Sequence, residues 1–155
     1  MVDSLSAESE AYLALRRLQT RYADIVWRRA WGEFDRIFLP TTTLTVGHLP
    51  VVTGPEQIGK FIGEYIDPLV FNTFSILNAV VDVAPDGDPD VATGRMHIQE
   101  RLIADQEGAR TDLFGVYDDR YKRHDGRWWF AARRFTRLGI TAGNLETFAS
   151  VPKDY

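Results

Sequence analysis

The 155-residue chain has no cysteine, which excludes disulfides, thiolate nucleophiles and cysteine-bound zinc, and is compatible with a reducing compartment. Histidine is scarce. The three present, His48, His97 and His124, sit in dissimilar contexts without the paired spacing of metal ligands, so no metal site is expected. There is no phosphate-cradling glycine loop, no dinucleotide fingerprint and no Gly-x-Ser-x-Gly elbow, so no cofactor and no nucleophilic hydrolysis are expected. No apolar run approaches the roughly 18 residues of a membrane helix. The segment Met1 to Ala11 is acidic rather than basic and then apolar, so no signal peptide is expected and a cytoplasmic location is. Positive charge is not in excess either: 18 Lys and Arg against 22 Asp and Glu leave a net charge of -4, with basic residues scattered beside acids. A nucleic-acid partner leaves a different footprint. A small organic molecule or another protein chain fits this surface better.

What is present is enough apolar chain for one core: 45% hydrophobic residues, 12% aromatic, 26% charged. Leu15, Leu18, Tyr22 and Ile25 recur at steps of three and four, predicting one long helix from Ser6 to about Ala30, with Glu8 and Glu10 in the first turn where the helix dipole favours acids. Phe34, Ile37 and Phe38 predict a second, short helix that Pro40 stops near Leu39. Thr41 to Val46 is β-branched and reads as a strand. Gly54-Pro55-Glu56 opens a third helix with Ile58, Phe61, Ile62, Tyr65 and Ile66 inward, closed by Pro68. The period then changes to two. Val70 to Val83, Val91 to Ala104, Thr111 to Tyr121 and Trp128 to Gly139 predict four long strands, joined by turns at Pro85-Asp86-Gly87-Asp88, Gln106-Glu107-Gly108 and His124-Asp125-Gly126. Connections this short require antiparallel neighbours.

The order α-α-β-α-β-β-β-β predicts an α+β domain over 1–139, in which a curved antiparallel sheet forms a cone with three helices on its concave side and a pocket between them. Residues 140–155 form a tail that either folds back over the pocket or reaches a neighbouring subunit. Arg21-Tyr22-Ala23, Trp31-Gly32-Glu33-Phe34 with Ile37-Phe38, Gly54-Pro55-Glu56-Gln57-Ile58, Tyr117-Asp118-Asp119-Arg120-Tyr121 and Asp125-Gly126-Arg127-Trp128 carry a resemblance over Tyr12 to Arg137. The chain resembles the SnoaL-like branch of the nuclear-transport-factor-two-like superfamily, which holds polyketide cyclases, scytalone dehydratase, ketosteroid isomerase, a dehydrochlorinase and non-catalytic binding domains. Fold alone therefore does not give function.

In the dehydratase and dehydrochlorinase branches the resemblance implies a histidine base oriented by an aspartate. Here Trp27 stands at the aspartate position, Phe74 at the histidine position and Asn78 at the family's asparagine. Neither Trp nor Phe can move a proton, so an acid or base must sit elsewhere. Pairing Val83 with Asp90 sets His97 opposite Ile76, on the face of Phe74 and Asn78. The resemblance directs that face into the cavity, and scytalone dehydratase is similar in carrying a second pocket histidine on this strand. The alternative places His97 in an outer polar stripe with Thr93, Arg95, Gln99 and Arg101.

Tyr22 matches the hydrogen-bond-donating tyrosine of ketosteroid isomerase, while Val46 holds the place of that family's carboxylate. A core tyrosine is the other reading of Tyr22. Asp24 is set to pair with Arg28 and Arg21 on the helix surface. Alternation through Trp128, Phe130 and Ala132 turns Arg134 inward as an anchor for a substrate oxygen and Arg133 outward. Tyr65, Asn72 and Tyr117 complete the expected lining with Trp27, Phe74 and Asn78.

Two functions follow. One is a cofactor-independent lyase or isomerase acting by proton transfer on a hydrophobic, aromatic or polyketide-like molecule, with His97, Tyr22 and Arg134 as its catalytic groups. The other is a non-catalytic ligand-binding or oligomerisation domain. By analogy with the superfamily, the back of the sheet is expected to be covered in a homodimer or homotrimer.

Overall fold

A computed structural model describes residues 6–105, 107–143 and 145–149. Helix α1, Ala7–Arg28, begins where the Ser6 Oγ accepts the Ser9 N–H at 3.2 Å, and buries Leu15, Leu18, Gln19, Tyr22, Ile25 and Val26 along one stripe. Its end is clamped by Arg29, whose guanidinium donates to Asn72 Oδ1 at 3.0 Å and to the carbonyls of Asp67 and Leu69 at 3.1 and 2.9 Å.

The expected second helix is a single 3₁₀ segment, Trp31–Arg36, and Phe38 already opens strand β1, Phe38–Val46. Pro40 therefore does not stop a helix. It lies in the stretch of β1 between Phe38 and Thr43 where the pairing is irregular, so its missing N–H breaks no regular ladder. A two-residue strand, β2, Val52–Thr53, precedes helix α2, Pro55–Ile66, which has proline in its first turn and Ile58, Gly59, Gly63 and Ile66 buried. The long strands are β3, Phe71–Val83; β4, Val91–Ile103; β5, Arg110–His124; and β6, Arg127–Ala142. Residues Asp125 (φ 52°) and Gly126 (φ 72°) form the two-residue turn between β5 and β6, the left-handed pair that a tight hairpin requires. Of the turn expected at 106–108, Gln106 lies outside the described residues.

The sheet runs β2-β1-β6-β5-β4-β3. Strands β3 to β6 pair antiparallel, as their short connections demand, but β1 joins β6 in parallel, so the sheet is mixed. The described part of the tail adds strand β7, Leu145–Phe148, antiparallel to β6 beyond the end of β1; residues 144 and 150–155 lie outside the described residues. The open, curved sheet holds α1 on its concave face, and the core lies between them: Tyr22, Ile25 and Phe34 against Phe74, Met96, Ile98, Tyr117, Tyr121 and Phe130, all buried.

Two irregularities in pairing decide which side chains reach that face. Between Ile76 and Asn78 strand β3 carries one extra residue, Leu77, so Ile76 pairs with Ile98 while Asn78 pairs with His97. On β6 the register shifts between Phe130, paired with Tyr121, and Ala132, paired with Arg120. Each bulge reverses the inward-outward alternation beyond it.

Candidate active site

Between α1, α2 and the concave sheet lies a cavity of about 700 Å³. Val26, Leu44, Val46, Phe61, Ile62, Ile66, Leu113 and Phe135 give it mostly apolar walls. The polar groups within it are Tyr22 and Tyr117, both buried, and Glu100, which is half-buried. His48, Leu49, Tyr65 and Arg137 are exposed and ring the opening.

Tyr22 reaches the cavity because it lies on the buried stripe of α1; Tyr117 reaches it from β5. Their hydroxyls are 3.2 Å apart, a hydrogen bond in which either can donate. The rings meet edge-on at 5.8 Å. Burial raises both phenols above their ordinary range, against the lowering pull of Arg133, so they stay protonated donors at neutral pH. Glu100 arrives from β4, directly between Phe74 on β3 and Leu113 on β5. Burial pushes its carboxyl up to about 7, and its charge is felt at both tyrosines.

Behind the tyrosine pair stands a cation. Arg133 is 2% exposed, and its guanidinium carbon lies 3.8 Å from the Tyr22 ring centre, 4.0 Å from that of Tyr117 and 4.4 Å from that of Phe130. Its Nε donates to Asp119 Oδ1 at 2.7 Å and Nη2 to Oδ2 at 3.3 Å, while Nη1, among the rings, makes no hydrogen bond with any described residue. Burial works against both charges of this pair, but each stabilises the other; Asp119 holds Arg133 in its charged form. Tyr121 donates to Asp119 at 3.1 Å and accepts from Gln19 of α1 at 2.9 Å, and these hydrogen bonds continue outward to the half-buried Arg16, which donates to Gln19 at 2.6 Å.

The sequence-derived site is thus partly gathered and partly dispersed. Tyr22 and Tyr117 line the cavity, and Tyr65 stands at its opening. Phe74 is buried beneath the floor, its ring 5.4 Å from Tyr22 and 6.2 Å from Tyr117. Trp27 does not line the cavity: it is half-exposed, and its Nε1 donates to the Phe74 carbonyl at 2.7 Å, joining the two residues that the resemblance sets at the aspartate and histidine positions. Asn72 is 5% exposed and serves the clamp on α1, accepting from Arg29 and donating to the Val26 carbonyl at 3.4 Å.

His97 and Asn78 pair with each other on the outer face. The core-facing residues of β4 are Ala92, Met96 and Ile98, and the bulge at Leu77 turns Asn78 away from Phe74. His97 Nδ1 is buried there without a hydrogen-bond partner among the described residues. Arg134 is exposed and opposite Asp118, because the bulge near Ala131 exchanges it with Arg133 as the inward residue. Asp24 does pair with Arg28 at 2.8 Å and Arg21 at 3.7 Å on the surface of α1. Glu100 and Asp119 were not singled out in the sequence, and Arg133, read there as outward, is buried. Glu100 lies directly across from Phe74, a relation that the register expected from the sequence hides, because it sets Gln99 there.

Among the described residues no three His, Asp or Glu side chains converge as metal ligands would, and no helix is long and apolar enough to cross a membrane. A comparison with curated protein sequences finds no match. Solved structures share the fold. A type 2 hexachlorocyclohexane dehydrochlorinase, LinA, is similar with a TM-score of 0.79 at 17% identity, covering 96% of this chain and 98% of that one. A scytalone dehydratase candidate from Novosphingobium aromaticivorans gives 0.78 at 16% identity, with 96% and 98% covered. The Kfla4162 protein from Kribbella flavida gives 0.77 at 20% identity, with 88% and 95% covered. The sequence model of the SnoaL-like domain family matches residues 7–134, and the chain belongs to that family.

Proposed function

We propose that the cavity catalyses cofactor-independent proton transfer in a hydrophobic small molecule, as a lyase or isomerase, with Glu100 as the general base. The observation that carries this reading is a carboxyl raised to about 7 in the same apolar cavity as a hydrogen-bonded pair of tyrosine hydroxyls. A base poised near the working pH combines adequate ionisation with adequate basicity. The Glu100 carboxylate takes a proton from carbon next to a carbonyl, and the C–H electron pair moves into the carbonyl as an enolate. Tyr22 and Tyr117 donate hydrogen bonds to that oxygen, and the buried positive charge of Arg133 behind their rings favours the negative charge forming in front of them. Protonation by Glu100 at a second carbon completes an isomerisation; departure of a β-substituent with its electron pair completes an elimination. The dehydrochlorinase and scytalone dehydratase designations of similar structures agree with this reaction class.

The outer face of the sheet, where His97, Asn78 and Arg134 lie, is in this reading the surface that a homodimer or homotrimer would cover. The test of the chemistry is deuterium exchange into a panel of aromatic and cyclic ketones in D2O. Exchange that is catalysed by the wild type and lost in Glu100→Gln supports the proposal; equal exchange by both proteins rejects it. A second reading is favoured by the Trp27–Phe74 hydrogen bond, which closes the dyad positions with groups that cannot titrate: a binding domain without turnover. It predicts saturable ligand binding and no exchange with any bound ketone.

A further inference from the structure

The inward stripe of β6 continues past the floor. Arg133, Phe135 and Arg137 alternate along one face: the first buried behind the tyrosines, the second forming the wall against Tyr117 with rings 4.9 Å apart, the third at the opening. Strand β1 runs parallel to β6 here, with Val46 opposite Phe135 and the Gly47 N–H donating to the Phe135 carbonyl at 3.4 Å. Strand β1 ends at Val46, and the turn that follows through Gly47 and His48, closed by the Leu49 N–H donating to the Val46 carbonyl at 3.0 Å, puts His48 with Arg137 among the residues at the mouth. Arg137 makes no hydrogen bond or ion pair with any described residue. Among the described residues the one carboxylate in the cavity lining is Glu100, at the floor. In a chain of net charge -4, the opening of the cavity carries a cation that no acid among the described residues neutralises.

We infer that the substrate is an amphipathic acid: an apolar, ring-sized body whose reacting carbonyl or phenolic oxygen meets Tyr22 and Tyr117, and whose opposite end is a carboxylate held at the mouth by Arg137 beside His48. The cavity discriminates ends by charge. A carboxylate driven to the floor would meet Glu100 and lose its hydration among apolar walls, whereas at the mouth it keeps water on one side and gains a guanidinium on the other. Arg137 is therefore a specificity-determining residue that sets orientation without touching the reacting atoms. The inference rests on the assignment of the floor given above.

The test uses three fluorescent probes at pH 7: 6-hydroxy-2-naphthoate, its neutral amide and 2-naphthol. The wild type is expected to bind the acid about five- to tenfold more tightly than the amide, as a partly exposed charge-assisted contact allows. Arg137→Gln should abolish that preference while leaving the amide and 2-naphthol affinities unchanged. Equal binding of acid and amide by the wild type, or a preference that survives Arg137→Gln, overturns the inference. The floor is tested separately: 2-naphthol should bind more weakly to Tyr117→Phe. Unchanged 2-naphthol binding there rejects the floor assignment even where the acid preference holds, and failure of all three probes to bind rejects both.

Discussion

Phe74 and Glu100 stand directly opposite each other on β3 and β4, so the carboxylate occupies the cross-strand neighbour of the position where related enzymes are expected to carry a histidine. The position that the resemblance assigns to the histidine is apolar in this chain, and the titratable group lining the cavity is one strand away.

Glu100 makes the protein's stability depend on pH. Its carboxyl is raised from 4.5 to about 7, so the folded state holds the proton more tightly than the unfolded chain does. The stabilisation is complete below about 4.5 and is lost as pH rises through 7. Glu100→Gln, which stays neutral throughout, should be more stable than the wild type at pH 8 by roughly 2–3 kcal/mol and nearly equal to it at pH 4.5. Urea denaturation at both values checks this; an equal difference at the two would show that the carboxyl is not raised.

Arg133 and Asp119 form a buried pair in which neither charge can be removed alone. Arg133→Met leaves the Asp119 carboxylate without its guanidinium and should cost about 3–5 kcal/mol. Adding Asp119→Leu should recover most of that loss, because the uncompensated charge goes with it. A double variant no more stable than Arg133→Met, by the same denaturation measurement, would contradict the pairing.

The tyrosine pair predicts different effects on rate and stability. Tyr22→Phe removes one of two hydroxyls beside the reacting oxygen, and should slow the exchange reaction by about 10²-fold, the order expected for a lost oxyanion donor. His97→Ala and Arg134→Ala, on the far face of the sheet, should leave that rate within about twofold. A rate that falls with His97→Ala and not with Tyr22→Phe would move the chemistry to the outer face.

Gly115 is required by a ring. A Cβ there would come within 2.2 Å of Phe135 Cε2 and 2.4 Å of Cζ. Gly115→Val must displace the cavity wall, and should lower stability by about 1–3 kcal/mol while weakening 2-naphthol binding. Unchanged melting and binding would place Phe135 elsewhere.

The helices, the long strands and the hairpins were legible because they rest on local signals: a 3.6-residue stripe in α1, proline in the first turn of α2, Asp125-Gly126 between β5 and β6. The parallel pairing of β1 with β6 was not, since it joins segments far apart in the chain. Tyr22 and Tyr117 could be read from helix periodicity and resemblance. His97, Asn78 and Arg134 could not, because each assignment assumed unbroken alternation. An extra residue in β3 and another in β6 are invisible to a period-two count, and each exchanges the inner and outer sets. Arg133 was read as outward by the same unbroken alternation that turned Arg134 inward; only the fold brings Asp119, from the adjacent strand, to neutralise it.

The central claim, that Glu100 is a base tuned for use near neutral pH, is tested most directly by following its side-chain carboxyl carbon by NMR through a pH titration, assigned by comparison with Glu100→Gln. A midpoint near 7 is the predicted result. A midpoint near 4.5, the ordinary glutamate value, would contradict it and leave the cavity without a base.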